Sequence, residues 1–302
     1  MDGEGAEEIC RLLKKGGCMS VHIGGGEPFL DFEGLIKVIR KLSGTDIALD
    51  YIETNAFWAA SDRKTVSERL NRLLDEGADT LCISVDPFHA EYVPYGAALA
   101  LADLCEKTGM RYFLWKREFL AALSRLDSHR AHSREDMEKI LSQKYIYNTA
   151  RLYGIGYGGR AVNIEREFAD NSTPDGRKSF GPFKPAEVFL AQSRPCVNLL
   201  STGHFHVDMM GRFIPPRCTG ICIPLKEAVE GIPPLRYPAF QALYSGGVSA
   251  LMDLARNQGF IEDEAGYTSL CGLCFSIRHY LSGKSFPELD SNHYEEALKY
   301  YT

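Results

Sequence analysis

The stretch Val21-His22-Ile23-Gly24-Gly25-Gly26-Glu27-Pro28-Phe29 carries the strongest structural signal in this chain of 302 residues. Apolar residues alternate with small or polar ones from Met19 to Ile23, which predicts a short strand. The glycine run ends that strand, because glycine adopts positive φ freely and lets the backbone come close to a ligand. An amphipathic helix is then predicted, whose apolar face carries Phe32, Leu35, Ile36, Ile39 and Leu42.

This strand–loop–helix order puts bare backbone and the Glu27 carboxylate at the carboxyl end of a strand. Parallel α/β folds bind ligands at that end. A tight turn without a ligand remains the alternative. The spacing is not Gly-x-Gly-x-x-Gly and no Lys-Ser or Lys-Thr pair follows, so a phosphate-binding loop is only weakly indicated.

The same unit recurs along the first half of the chain. Strands are predicted to begin near Met19, Ile47, Thr80 and Met110. One helix and roughly 30 residues separate each strand from the next, which is the spacing of βαβ units in a parallel α/β sheet or barrel. The strands are apolar along their length, so we expect both faces of the sheet to be covered. A helix over residues 4–16 precedes the first strand, so the repeat starts half a unit late.

Composition narrows the class of protein. Hydrophobic residues make up 45%, charged residues 25%, and the net charge is −6. These values predict a globular protein and give no reason to expect a nucleic acid or a membrane as partner. No apolar run approaches the ~20 residues that span a bilayer, and the first residues are acidic, unlike a secretory signal. The nine cysteines then favour a reduced, cytoplasmic setting and metal or cluster ligation.

The βα spacing ends near residue 145, and three regions are predicted. Residues 1–164 form the β/α domain. Residues 165–187 are charged and rich in proline and glycine, which indicates a linker. Residues 188–302 form a smaller, cysteine-rich α+β domain with short strands.

Cysteines in the last third of the chain predict a metal site. Cys271 and Cys274 form a Cys-x-x-Cys pair, and four thiolates bind zinc or an iron–sulfur cluster. Buried free cysteines are the alternative. Cys222 lies in an apolar run and resembles a core residue more than Cys218 does, although the spacing leaves the choice open. The predicted ligands are Cys196, Cys218, Cys271 and Cys274.

Polar residues follow the third strand at the same edge as Glu27. Ser84 and Asp86 alternate on one side and suit hydrogen bonds to a ribose or an amine. The alternative for Asp86 is helix N-capping, and for His89 simple solvation. His204 and His206 share a strand face, but no third ligand is spaced to match them.

Together these stretches resemble the radical S-adenosylmethionine (SAM) superfamily. The matching pieces are Gly24-Gly25-Gly26-Glu27-Pro28, then Thr54-Asn55, then Ser84-Val85-Asp86. Gly159-Arg160-Ala161 resembles the junction to an auxiliary cluster domain of the SPASM or twitch type.

The resemblance implies a partial (β/α)6 barrel that lacks its first strand. It implies reductive cleavage of SAM to a 5′-deoxyadenosyl radical, which modifies a substrate such as a peptide or protein. The SAM-binding residues would be Gly24, Gly25, Gly26, Glu27, Ser84 and Asp86. An auxiliary four-iron, four-sulfur cluster would be held by Cys196, Cys218, Cys271 and Cys274.

One hallmark of that family is missing from the 302 residues. They contain no Cys-x-x-x-Cys-x-x-Cys triplet, so we expect no SAM-cleaving cluster in this chain. Truncation or a mis-started chain is the explanation we favour over true degeneration. Two other functions remain open: a non-catalytic SAM- or peptide-binding barrel with a structural zinc, and a β/α-barrel lyase whose glycine loop holds a phosphate.

Overall fold

The computed structural model describes residues 3–142, 183–200, 203–216, 218, 220–233 and 235–294. The chain divides into two compact units, Met1–Gly154 and Ile155–Thr302. Most of the predicted linker, up to residue 182, and the Gly159-Arg160-Ala161 stretch lie outside the described residues.

The first unit is a parallel α/β structure. Its four strands lie in chain order in one sheet and are β1 (Ser20–Ile23), β2 (Ala48–Thr54), β3 (Thr80–Ser84) and β4 (Arg111–Trp115). All three neighbouring pairs run parallel. The helices are α1 (Gly3–Lys15), α2 (Phe32–Ser43), α3 (Arg63–Asp75), α4 (Pro87–Ala90), α5 (Tyr95–Thr108), α6 (Leu120–Leu123) and α7 (Arg134–Leu141). The predicted α/β class with a parallel sheet is therefore confirmed.

The two faces of this sheet differ. Ile52, Leu81 and Ile83 are fully buried on one face. On the other face Glu53, Cys82 and Phe113 stand in register across β2, β3 and β4. Phe113 is 38% exposed there and Trp115 51%. Within the described part of this unit, the expectation that both faces are covered is therefore wrong for β4. Its alternating exposure is that of a strand with one open face.

The second unit combines helices with a three-stranded sheet. Strands β5 (His206–Val207), β6 (Arg212–Ile214) and β7 (Ile223–Pro224) pair antiparallel in that order. The helices are α8 (Ala186–Leu190), α9 (Val197–Leu200), α10 (Leu225–Glu230), α11 (Pro238–Arg256) and α12 (Leu270–Ser282). Leu243 and Leu251 of α11 and Leu273 and Ile277 of α12 belong to one buried core.

The end of the predicted linker belongs to this second unit. Lys184 forms an antiparallel bridge with Tyr267, and Ala186 is buried in the core of the unit. Its backbone hydrogen bonds are thus made with folded structure, which a free linker would leave to water.

Among the described residues, no helix combines the length and the apolar character needed to cross a membrane.

Candidate functional site

The glycine loop after β1 has the open backbone that the sequence predicts. Gly25 and Gly26 have φ values of 75° and 51°, and a Cβ atom at either position would meet open space. Gly24 is needed for another reason. A Cβ atom there would lie 2.5 Å from Oε2 of Glu53, so a side chain would displace the carboxylate at the end of β2.

Glu27 ties the loops after β1 and β2 together. Its Oε1 accepts hydrogen bonds from the Phe29 backbone N–H at 3.1 Å and from Oγ1 of Thr54 at 2.9 Å. Its Oε2 accepts from the Asn55 backbone N–H at 2.7 Å. Burial raises the pKa of Glu27, although these three hydrogen bonds act in the opposite direction. Two of the stretches quoted for the resemblance are thus joined directly by hydrogen bonds.

Asp86 begins the short helix α4 and also holds a histidine. Its Oδ1 accepts a hydrogen bond from the His89 backbone N–H at 3.0 Å, and its Oδ2 lies 2.8 Å from Nδ1 of His89. The N-cap that the sequence left open for Asp86 is therefore present. Ser84 is half-buried at the end of β3, in register with Trp115.

The His89 imidazole interacts electrostatically with Asp86 and with the other carboxylates at this edge of the sheet. Burial acts to lower its pKa, but the hydrogen bond and charge of Asp86, together with the charges of Glu27 and Glu53, raise it. The His89 side chain remains 44% exposed. Glu27, Glu53 and Asp86 thus lie near one imidazole at the carboxyl edge of the sheet, where a positive charge is favoured.

The open sheet face beside this edge carries residues that the motifs did not single out. The rings of His22 and Tyr51 stack at 4.8 Å between centroids, and Tyr51 meets Phe113 edge-to-face at 5.3 Å. Nε2 of His22 lies 3.7 Å from Oε1 of Glu53. Alternation along β2 places Tyr51 and Glu53 on one face, so the sequence contained a usable signal for this pair.

In the second unit, two of the four predicted cluster ligands are in contact and a third lies near them. The side chains of Cys196 and Cys218 share a hydrogen bond. Cys274 lies close enough to both for their charges to interact with its own. The hydrogen bond from Cys218 lowers the pKa of Cys196, and the same bond together with burial raises the pKa of Cys218.

The kinked helix α11 positions Cys196. Gly247 has a φ value of 70° inside this helix, and the segment that leads to Cys196 runs across the kink. Oγ of Ser193 accepts a hydrogen bond from the Ser249 backbone N–H at 2.9 Å. The Cys196 backbone N–H donates to the carbonyl oxygen of Leu243 at 3.0 Å.

A buried arginine lies among these thiols. Arg278 of α12 is 3% exposed, hydrogen-bonds Cys274, and donates from Nη1 to the Tyr294 hydroxyl at 2.9 Å. Burial opposes its charge, but Tyr294, Cys274 and Cys218 raise its pKa. The motifs missed Arg278, although its spacing of four residues from Cys274 places both on one helix face.

The other candidate metal ligands of the second unit are not among these three thiols. Cys271 is exposed on α12, three residues before Cys274. Cys222 is buried near Asp208 and His293 and forms a separate group with them. The rings of His204 and His206 lie 5.0 Å apart. Among the described residues, neither histidine joins a group of three possible metal ligands.

The fold and these two groups define a class: a two-unit protein with a parallel α/β sheet, an acidic edge, and a separate unit with clustered thiols. Comparison with family models and with curated proteins gives no match to this chain.

Proposed function

We propose that this chain is a radical SAM-type protein with an auxiliary iron–sulfur domain. The single observation that carries the proposal is the group of three thiols, Cys196, Cys218 and Cys274, around the buried guanidinium of Arg278. Arg278 hydrogen-bonds Cys274, and its positive charge favours the thiolate form of the neighbouring cysteines. A cluster bound by those thiolates would be held beside this charge.

The donor set fits a four-iron, four-sulfur cluster. Cys196 and Cys218 are in contact with Cys274 nearby. Cys271 is the fourth ligand in this proposal because it lies one helical turn before Cys274. Near the first turn of α12 a thiolate is stabilised by the helix dipole. When bound, such a cluster supplies one-electron chemistry. The chain holds it through these thiols, and Arg278 balances its charge.

The SAM site of the proposal is the carboxyl edge of the parallel sheet in the first unit. Bare backbone at Gly25 and Gly26 leaves room for a ligand, while Glu27, Glu53 and Asp86 favour a cation there. A sulfonium with an α-amino group matches both features. Ser84 would contact the ribose. In this proposal the sheet belongs to a partial (β/α)6 barrel.

The substrate in this proposal is a peptide or protein. The open sheet face presents Tyr51, Phe113 and Trp115 beside the acidic edge, and aromatic rings supply large contact areas to peptide side chains. The parent activity is reductive cleavage of SAM to a 5′-deoxyadenosyl radical. The printed sequence holds no Cys-x-x-x-Cys-x-x-Cys triplet, so we propose no SAM cleavage by these 302 residues alone. Nine free cysteines and an oxygen-sensitive cluster suit a reducing cytoplasm.

A second candidate function rests on the same thiols. Cys196, Cys218, Cys271 and Cys274 also suit a structural zinc, which four thiolates bind tetrahedrally. In that case the chain would be a non-catalytic barrel that binds SAM or a peptide.

Iron counting after anaerobic reconstitution with iron and sulfide separates the two candidates. We expect about four irons per chain and their loss in Cys274→Ala. Cys105→Ala is the matched control, because Cys105 is also buried but lies in the first unit. A colourless protein with one zinc would favour the structural-zinc function, and full iron loading of Cys274→Ala would exclude Cys274 as a ligand.

Calorimetric titration with SAM tests the first unit. We expect weak binding at best, since no cluster iron anchors the SAM amino and carboxylate groups in this chain. Replacement of Gly25 by valine should abolish that binding by filling the open space. Equal binding by wild type and Gly25→Val would rule out the glycine loop as the site.

A further inference from the structure

The second unit contains another group of metal-binding side chains, separate from the predicted cluster ligands. Asp208, Cys222 and His293 each offer one ligand atom, and these atoms lie within 4.8 Å of one another. Cys222 is buried, and the other two side chains are half-buried. We propose that these three residues hold a zinc ion.

Tertiary pairing brings the three residues together from distant parts of the sequence. Asp208 lies in the turn between β5 and β6, and Cys222 directly precedes β7, which pairs with β6. Ile221 forms an antiparallel bridge with Leu289, and the Cys222 backbone N–H donates to the Glu288 carbonyl at 2.8 Å. The chain then turns, and the His293 backbone N–H donates to the Asp290 carbonyl at 3.1 Å. The ligand set is thus built on paired backbone and not on a free loop.

The charges around this group favour a cation. Arg212 donates from Nε to Oδ2 of Asp208 at 2.7 Å and from Nη1 to Oδ2 of Asp290 at 2.6 Å. One guanidinium, with a single positive charge, therefore hydrogen-bonds two carboxylates. Arg278, the other nearby cation, is bound to Cys274 and Tyr294. A divalent ion would offset the excess negative charge.

The types of ligand atom indicate which metal ion would bind. A thiolate, an imidazole and a carboxylate together suit zinc better than calcium or magnesium, which take oxygen ligands alone. Asp208 is held in place by the Met210 and Arg212 backbone N–H groups, both at 3.0 Å from Oδ1. Such outer hydrogen bonds orient metal-binding carboxylates. Three protein ligands leave a fourth position for water or a substrate atom.

Zinc content of the full chain tests this site. The protein is purified in a reducing buffer, loaded with zinc and passed through a desalting column. Zinc is then counted by mass spectrometry in His293→Gln and in the matched variant His206→Gln. We expect His293→Gln to carry about one zinc fewer per chain than His206→Gln, which keeps all three ligands. Equal zinc content in the two histidine variants would overturn the proposal.

A second pair of variants tests whether a loss of zinc comes from a lost ligand or from misfolding. Cys222→Ser should also lose about one zinc and should weaken cobalt binding by tenfold or more, whereas Cys105→Ser should keep both. Far-ultraviolet circular dichroism checks that each variant is folded. If Cys222→Ser unfolds, the comparison of the histidine variants still decides, because His293 is only half-buried. The site is independent of the radical SAM proposal, since iron at Cys274 is counted separately.

Discussion

The carboxylate of Asp86 performs two tasks with its two oxygen atoms. Oδ1 caps helix α4 through the His89 backbone N–H, and Oδ2 holds the His89 ring at 2.8 Å. An amide can perform the first task as well as a carboxylate can, because asparagine is an equally good N-cap. Only the carboxylate supplies the negative charge that raises the pKa of His89.

The Asp86→Asn variant should therefore lower the pKa of His89 while α4 stays capped. Proton NMR of the imidazole across a pH titration measures that pKa. Asp62→Asn is the matched control, because Asp62 caps α3 through the Thr65 backbone N–H and contacts no histidine. An unchanged His89 pKa in Asp86→Asn would mean that Glu27 and Glu53 hold the imidazolium without Asp86.

The sign of the pH effect follows from the raised pKa. Protonated His89 stabilises the folded unit, so this contribution is complete below the unfolded histidine pKa of about 6.5. It is lost as the pH rises through the folded pKa. The difference in unfolding free energy between wild type and Asp86→Asn should therefore shrink above that range.

Among the elements, the kinked helix α11 positions the thiol group. The kink has a cause in sequence, because Gly247 adopts a φ of 70° and a Cβ atom there would collide with the Arg194 carbonyl oxygen. The close approach lets the chain between Ser193 and Cys196 lie against the helix and use its backbone groups. Any side chain at residue 247 would push this segment, and Cys196 with it, away from the helix.

Gly247→Ala should lower the free energy of unfolding by roughly 3 kcal/mol, because it combines an unfavourable backbone angle with a steric collision. Gly259→Ala is the control, since Gly259 has a φ of 87° and its Cβ atom would meet only the Tyr280 hydroxyl at 3.3 Å. We expect a loss of about 1 kcal/mol there. Urea titrations followed by circular dichroism give both values. Equal losses would show that the collision is relieved by a small shift of the segment.

For the whole molecule, the division into two units makes an experimental distinction possible. Both tryptophans of the chain, Trp58 and Trp115, lie in the first unit. Trp58 is 2% exposed and stacks on Phe29 at 4.1 Å between centroids. Its fluorescence therefore reports the packing of the first unit, whereas circular dichroism reports the helices of both.

Gly247→Ala should separate these two signals. We expect the dichroism midpoint in urea to fall by about 1 M, because the second unit is destabilised. The fluorescence midpoint should stay where it is in wild type. A parallel fall of both midpoints would mean that the two units unfold in a single cooperative step, and the distinction would fail.

Local patterns predicted the elements of the first unit closely. The helix predicted over residues 4–16 is observed as Gly3–Lys15, and the strands predicted to begin near Thr80 and Met110 begin at Thr80 and Arg111. Periodicity and glycine stops depend on neighbouring residues, so they can be read from a single chain. The same locality explains the failure at β4. Apolar strands look alike whether one face or both are covered, and the cover comes from residues far along the chain.

Only the three-dimensional arrangement showed which side chains Cys218 and Cys222 each lie beside. They lie four residues apart, and the chain turns between them at Gly220, whose φ is 89°. The Cys218 thiol hydrogen-bonds Cys196, and the Cys222 thiol lies beside Asp208 and His293. The bridge between Ile221 and Leu289 brings His293 to Cys222. Residue types and spacings predicted a metal or cluster site formed by cysteines. Which of them meet depends on pairings across tens of residues, and no local pattern encodes those.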